Sequence, residues 1–391
     1  MYLWRLAEDK LAKMLSGNKI ILVLGARQVG KTTLVEHILK GEKAVLLNFD
    51  VEIDKRRFLA AGELSPEQAM NSVGKPDFLI VDEAQRLPEA SRIIKGWYDK
   101  KISTRIIMLG SSSLDLLAQA TESLTGRNQK LRLPPLLFEE TLGEQAWFSR
   151  DYTPQTLLSS FQTVLRTVLV DRMVHGSYPE VVTSIDKPGL LRELAADYLW
   201  KDILQTGLVK NPDQIKRLLM LLAHQCGSEV SYNELAGNLQ MARATVEHYI
   251  DLLEQCFIVF RLPAYSTNAR KEISKSKKIY FWDTGIRNAL LNQFSTDELR
   301  PDIGLLWENW VVAEVAKRNM LEGLSCDLYF WRSRHQSEVD LIVKTGTGLK
   351  AFEIKWGRKK GTGCRAFANA YGIVPEIVSP ANPFVADRVY D

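Results

Sequence analysis

Cysteine is scarce in this chain: four residues in 391, Cys226, Cys256, Cys326 and Cys364, far apart and without a CxxC pair. That excludes a disulfide framework and a thiolate zinc site, and a reducing, cytoplasmic compartment is the simplest expectation. Long apolar runs are also missing. The purest, Ile20 to Leu24 and Leu218 to Ala223, fall far short of the ~18 residues needed to cross a bilayer. The opening MYLWRLAEDKLAKML carries charges throughout and lacks the apolar centre of a signal peptide, so the expectation is a soluble protein without a membrane partner. Charge of one sign is lacking as well. Lys+Arg 51 against Asp+Glu 47 gives +4, so any basic surface for nucleic acid must come from local clustering. Hydrophobic residues at 46% and charged ones at 25% exclude a disordered chain, and the length allows two or three domains.

What is present begins with KIILVL, residues 19 to 24, an aliphatic run typical of a strand buried on both faces. It runs into GARQVGKT, a Gly-x4-Gly-Lys-Thr phosphate loop. Gly25, Ala26, Arg27, Gln28, Val29 and Gly30 would curl the backbone so that successive N–H groups face phosphate oxygens. Lys31 would reach the β/γ-phosphates, the Thr32 hydroxyl would coordinate Mg²⁺, and Thr33 would complete the loop. Leu34, Val35, Ile38 and Leu39 continue as the apolar face of a helix whose positive end meets the same anion.

A second aliphatic run, Phe78 to Val81, delivers Asp82 and Glu83 to the edge of a sheet. Asp82 would hold the Mg²⁺ and Glu83 would polarise the attacking water, since hydrolysis needs a placed base or orienter. A third run, Arg105 to Leu109, ends in Gly110 and Ser111 to Ser113. These hydroxyls suit either a γ-phosphate sensor, with Ser111 first, or a helix cap. Arg127, in SLTGR, is a cation that could stabilise charge on the transferring phosphoryl in cis or from a neighbouring subunit.

Together GARQVGKTTL, FLIVDEAQRLP, LGSSS and LTGR resemble the bacterial and archaeal AAA-type ATPases whose C-terminal half is the DUF4143 region. In that family the DEAQ box is read as Walker B, which implies Asp82 and Glu83 here. The resemblance also implies adenine over guanine, and a guanine-specific Asn-Lys-x-Asp string is absent. GSYPE at Gly176 to Glu180 matches a GGYP-like string of the family more loosely, with serine in place of the second glycine.

From Leu136 to Gly227 the spacing is helical, broken at Pro179, Pro188 and Pro212, as in a lid and linker. His175 and His224 lack ligand spacing and read as structural. Ser231-Tyr-Asn-Glu234 is a capping box opening a short helix, and Val246, Tyr249, Ile250 and Leu253 mark a second, so the segment reads as a helix-turn-helix. FIVFRLPA and KKIYFWD then read as strands flanking a basic hairpin with Arg270, Lys271, Lys275, Lys277 and Lys278. Such a wing suits DNA phosphates, and the second helix would offer Arg243, Thr245 and His248 to a groove; a winged helix used for packing or coupling is the alternative.

Leu305 to Asn319 reads as a helix carrying Glu308, followed by three strands, DLYFWRS, SEVDLIV and LKAFEIK. Period-two alternation puts Val339, Leu341 and Val343 on one face and Asp340 on the other, with Glu353 and Lys355 sharing a face of the next strand. Asp340 and Glu353 could hold Mg²⁺, Lys355 could activate water and Glu308 could complete the set, with KWGRKK and Arg365 beyond to hold a nucleic-acid backbone. The ordered set resembles the PD-(D/E)xK restriction-endonuclease-like core found in the same place in DUF4143 proteins.

The fold expected is therefore α/β: a P-loop NTPase parallel sheet over 1–135, a helical lid over 136–226, a winged helix over 227–300 and a nuclease-like α/β domain over 301–391. The function expected is a Mg-dependent ATPase binding ATP and coupled to a half that binds, and in one version cleaves, double-stranded DNA. The alternative is a nucleotide-dependent signalling or regulatory switch whose nuclease-like domain is catalytically silent and binds partners. Homo-oligomerisation stays open.

Overall fold

The computed structural model describes residues 2–110, 124–198, 211–266, 277–324, 326–333, 335, 337–357 and 364–390. Two compact units emerge, residues 2–134 with 255–257, and residues 135–254 with 258–391.

The first unit is built on a parallel five-stranded sheet: β1 (Ile20–Leu24), β2 (Ala44–Asn48), β3 (Phe78–Asp82), β4 (Arg105–Gly110) and β5 (Asn128–Arg132), in the order β2-β3-β4-β1-β5. All five residues of β1 and of β3 are buried, as their unbroken aliphatic sequences require of interior strands. Each Val, Leu or Ile so placed contributes about 1.5–3 kcal/mol on leaving water. The edge strands differ. In β5 the sequence NQKLR buries only Leu131 and has no aliphatic signature, whereas β2 keeps an aliphatic run, AVLL, but buries only Leu47 fully. With β5 on one side of β1 and β4 and β3 on the other, the strand order reverses at β1. In parallel α/β sheets, ligand crevices open beyond the carboxyl ends of the strands at such a point.

The second unit holds two smaller sheets among helices. Helix Pro212–His224 precedes β6 (Glu229–Val230), helices Tyr232–Leu239 and Arg243–Gln255, β7 (Val259–Pro263) and β8 (Lys277–Phe281), whose antiparallel order is β6-β8-β7. The Ser231 hydroxyl caps its helix by accepting from Glu234 N–H at 3.3 Å. The prolines read as breaks in fact open helices: Pro179, Pro188 and Pro212 all sit in first turns, where a missing N–H costs nothing. Helix Ile303–Glu322 then leads into β9 (Asp327–Arg332), β10 (Glu338–Lys344) and β11 (Leu349–Ile354), antiparallel neighbours, with β12 (Glu376–Val378) returning parallel to β11. Apart from residues 255–257, the three segments expected beyond residue 136 lie within this one unit.

The GSYPE string acquires a physical role here. Gly176 has φ 75° and ends helix Gln162–His175, and an added Cβ would lie 1.9 Å from Asp283 Oδ1. Asp283 accepts from Ser177 N–H at 2.6 Å and caps helix Thr284–Leu291 through Ile286 N–H at 3.1 Å. Serine in place of the second glycine loses nothing, because its backbone N–H makes the bond. Across the same crossing, a Cβ on Gly285 would meet the His175 carbonyl oxygen at 2.2 Å, a backbone atom that cannot swing away. Gly285→Ala is therefore expected to cost about 1–3 kcal/mol, the range for forced overpacking. Urea denaturation checks it: an unchanged midpoint would mean that the two backbones can part.

Candidate functional site

The phosphate loop leaves the end of β1 and closes at Gly30, whose φ of 88° begins helix Lys31–Ile38. Gly25 cannot carry a side chain, because a Cβ would sit 2.2 Å from the Leu133 carbonyl oxygen. Lys31 is 7% exposed and its ammonium donates to the carbonyls of Gly25 at 3.1 Å and Ala26 at 2.9 Å, so it folds back over the loop. From β3, Asp82 arrives beside that helix and accepts from the Thr32 hydroxyl at 2.7 Å through Oδ2. Its Oδ1 accepts from Glu83 N–H at 2.8 Å. A hydroxyl and a carboxylate this close are the hard oxygen donors that Mg²⁺ takes alongside waters and substrate phosphates, so these residues fit the ion.

Glu83 stands at φ 50°, the left-handed region, where a non-glycine residue stores about 1–3 kcal/mol of strain. Gln85 donates to its Oε2 at 2.5 Å, and Arg27 lies 3.7 Å from the same oxygen. The DEAQ box thus supplies its own orienting amide. Gln85 was legible as part of that string but its role was not, since it depends on the short helical turn Ala84–Arg86.

Sequence reasoning missed Arg5 altogether. Its side chain is 3% exposed, and its guanidinium donates to the Val29 carbonyl inside the phosphate loop and to the Pro134 carbonyl, each at 2.7 Å. Nothing in the charged opening segment distinguishes this arginine, because its partners are backbone carbonyls, which leave no trace in composition.

Arg127 stands beside the start of β1, at the opposite end of that strand from the loop. Its carbonyl accepts from Ile20 N–H, at the start of β1, whereas the loop leaves from Leu24. The four steps from Ile20 to Leu24 separate those ends by roughly 13 Å at ~3.3 Å per residue. Its guanidinium is engaged by Asp99 at 2.7 and 3.2 Å. Ser111 to Ser113, expected as sensor or cap, lie outside the described residues.

In the second unit, β10 departs from simple alternation. Val339 pairs with Trp331 and Ile342 with Tyr329, so two residues of β10, Asp340 and Leu341, oppose one of β9. This β-bulge puts Val339 and Ile342, rather than Val339 and Leu341, into the apolar cluster with Tyr329, Trp331 and Phe367. Asp340 is buried and its Oδ2 accepts from Ile354 N–H at 2.7 Å and from the Lys355 ammonium at 3.2 Å. Burial works against the charge on Lys355, but Asp340, Glu353 and Glu308 together outweigh it, and its pKa is raised. Glu353 accepts from Cys364 N–H.

Glu308 belongs to this neighbourhood but is held from another side. Its Oε1 accepts from Lys278 at 2.9 Å and from the Tyr280 hydroxyl at 2.8 Å. Burial and the Asp340 charge push its pKa up, against the pull of Lys278. Lys278 itself is 2% exposed and also pairs with Glu338. The expectation that Lys278 meets DNA phosphates is therefore corrected: on β8 it faces inward, and its charge is spent on two carboxylates. Lys277 is half-buried at the start of that strand, and Arg270, Lys271 and Lys275 lie outside the described residues, as do residues 358–363 after KWG. Arg243 and His248 are exposed on their helix, with Thr245 half-buried. Among the described residues no group of three or more His, Cys, Asp or Glu is disposed to hold a metal ion, and no helix is long and apolar enough to cross a membrane.

Comparisons with known proteins follow the same division. Residues 17–142 match the AAA domain family model, residues 166–297 a domain of unknown function, DUF8612, and residues 303–382 another, DUF4143. An uncharacterized protein of Mycobacterium tuberculosis is 29% identical over 358 residues, covering 89% of this chain and 73% of that protein. One of Methanocaldococcus jannaschii is 26% identical over 345 residues, covering 83% and 72%. Among solved structures, the Walker-type ATPase of Pyrococcus abyssi aligns with 73% of this chain and 94% of its own at 14% identity, with a TM-score of 0.48.

Proposed function

We propose that this chain, which carries an AAA-type P-loop ATPase domain followed by a C-terminal DUF4143 region, binds ATP with Mg²⁺ and hydrolyses it. The carrying observation is the convergence of Lys31, Thr32, Asp82 and Glu83 at the carboxyl ends of β1 and β3. The loop's N–H groups and the Lys31 ammonium receive the phosphate tail, and Thr32 with Asp82 would hold the cation. When bound, Mg²⁺ neutralises charge on the β- and γ-phosphates. Glu83, fixed by Gln85, accepts a hydrogen bond from the water that attacks and aligns it. Phosphate release from Mg-ATP, abolished by EDTA, tests the reading; absence of turnover and of nucleotide-dependent stabilisation would reject it.

The second half is proposed to be a winged-helix DNA-binding element with a nuclease-like sheet that serves for binding without cleavage. Support for binding is the element order helix, short strand, two helices and a hairpin, with Arg243 and His248 exposed on the second helix of the pair. Support for a silent sheet is that Asp340 Oδ2 is already shared between Ile354 N–H and Lys355. Affinity for a labelled duplex is expected to fall steeply as salt rises, and Arg243→Ala to reduce the slope by about one counterion. Binding that ignores salt would contradict the DNA reading. Plasmid incubated with Mg²⁺ or Mn²⁺, with and without ATP, is expected to stay intact; nicking lost in Asp340→Ala and Glu353→Ala would establish cleavage instead.

A further inference from the structure

The Arg5 guanidinium reaches a backbone carbonyl of the phosphate loop from a segment some two dozen residues upstream, and it does so while 3% exposed. A peptide unit is planar and trans, so its C=O and N–H point in opposite directions. Fixing the Val29 carbonyl therefore fixes the N–H of Gly30, which belongs to the same peptide unit, and directs it away from Arg5. Such control matters at this peptide more than at most. Gly30 has φ 88° and no Cβ, so rotation of the Val29–Gly30 unit meets little steric resistance on its C-terminal side. Left alone, this peptide could turn its carbonyl oxygen where an anion needs a donor.

The second anchor ties the loop to the sheet. Pro134 follows β5 and Leu133, whose N–H donates to the Leu24 carbonyl at 2.7 Å, extending the ladder beside β1. The Leu133 carbonyl is also the atom that forbids a side chain on Gly25. Arg5 thus bridges the end of the loop to the backbone that buttresses its beginning. The arginine is itself set in place, since its own N–H donates to Glu8 Oε1 at 2.9 Å, an oxygen that also accepts from the Tyr2 hydroxyl at 2.8 Å. A guanidinium suits the task because its rigid fork offers two divergent donors at once, whereas an ammonium is a single point.

We infer that Arg5 is a positioning residue for nucleotide binding: it holds the Val29–Gly30 peptide with the Gly30 N–H turned toward the phosphates. The inference rests on the ATPase reading, and its test separates the two. Wild type, Arg5→Ala and Arg5→Lys are compared as full chains for melting temperature without nucleotide, Mg-ATP affinity by calorimetry, and kcat and KM from phosphate release. Arg5→Ala is expected to weaken Mg-ATP binding about tenfold or more, chiefly in KM, the scale of losing a charge-assisted bond. Arg5→Lys, able to keep one of the two bonds, is expected to melt close to wild type yet remain several-fold weaker in KM. A purely architectural role would lower the melting temperature and leave KM unmoved in whatever protein remains folded; that outcome in Arg5→Lys overturns the inference. If wild type itself neither binds nor hydrolyses Mg-ATP, the ATPase reading falls and this inference with it. If wild type does both and the two variants match its KM, only the inference falls.

Discussion

Lys31→Ala is expected to abolish measurable Mg-ATP binding while leaving the fold intact. The side chain is almost wholly buried against the loop it serves, and its ammonium donates to the carbonyls of Gly25 and Ala26. What the substitution removes is the one mobile positive charge that can leave those carbonyls for a phosphate. Charge-assisted hydrogen bonds contribute about 1.5–3 kcal/mol each, so losing two to the β- and γ-phosphates weakens affinity by roughly two to four orders of magnitude. The cleanest readout is thermodynamic linkage. At a ligand concentration about a hundredfold above the wild-type Kd, wild type should gain about 2.7 kcal/mol of stability, and Lys31→Ala should gain no more than about 0.4 kcal/mol at the same concentration. Lys31→Arg is the informative companion, since a planar fork does not fit where a compact ammonium threads between two carbonyls. A variant at Lys31→Ala that is still stabilised by Mg-ATP as strongly as wild type would remove the loop from the site of binding.

The elements that place this site were readable because burial on both faces writes itself into sequence as uninterrupted aliphatic runs. Ile20 to Leu24, Phe78 to Val81 and Arg105 to Leu109 each became a central strand, extended by a residue in β3 and β4. The flanking strand β5 is not readable in this way, because an edge strand needs only one buried residue in five to stay attached, and polar sequence such as NQKLR has no period to detect; β2, AVLLN, has the aliphatic run but no motif at its end to draw attention to it. Arg5 escaped for a related reason. It acts on backbone, and a carbonyl looks the same in every residue. In the second unit the helix and three strands are legible, yet strict alternation puts Leu341 beside Val339, and the one inserted residue at the bulge brings Ile342 there instead. Lys278 illustrates the opposite error. Its neighbourhood of basic residues suggests a phosphate contact, but partners distant in sequence, Glu308 and Glu338, decide its fate, and no local pattern reports them.

Glu83→Gln is expected to uncouple binding from turnover: Mg-ATP affinity within about twofold of wild type and kcat reduced by roughly two to four orders of magnitude, the usual weight of a general base or water-orienting group. The distinction follows from what Glu83 touches. Asp82, one residue earlier, makes the contact with the Thr32 hydroxyl through which cation and nucleotide are held, and that contact is untouched. Glu83 reaches instead to Gln85 and toward Arg27, so its carboxylate is aligned by neighbours that are themselves not in the cradle's Lys31–Thr32–Asp82 set. Glutamine preserves the length and volume and keeps an acceptor oxygen, but it carries no charge with which to draw a proton from water. The left-handed backbone at this position is a further sign that side-chain direction is being purchased with local strain. Gln28 and Gln240 occupy the same backbone region in this chain, so the substituted amide adds no new steric conflict. Gln85→Ala should then lower kcat less than Glu83→Gln and with the same unchanged affinity, because it frees the carboxylate without removing it. Equal turnover by Glu83→Gln and wild type would strip Glu83 of the role. A parallel loss of affinity in Glu83→Gln would instead place Glu83 with Asp82 in holding the cation.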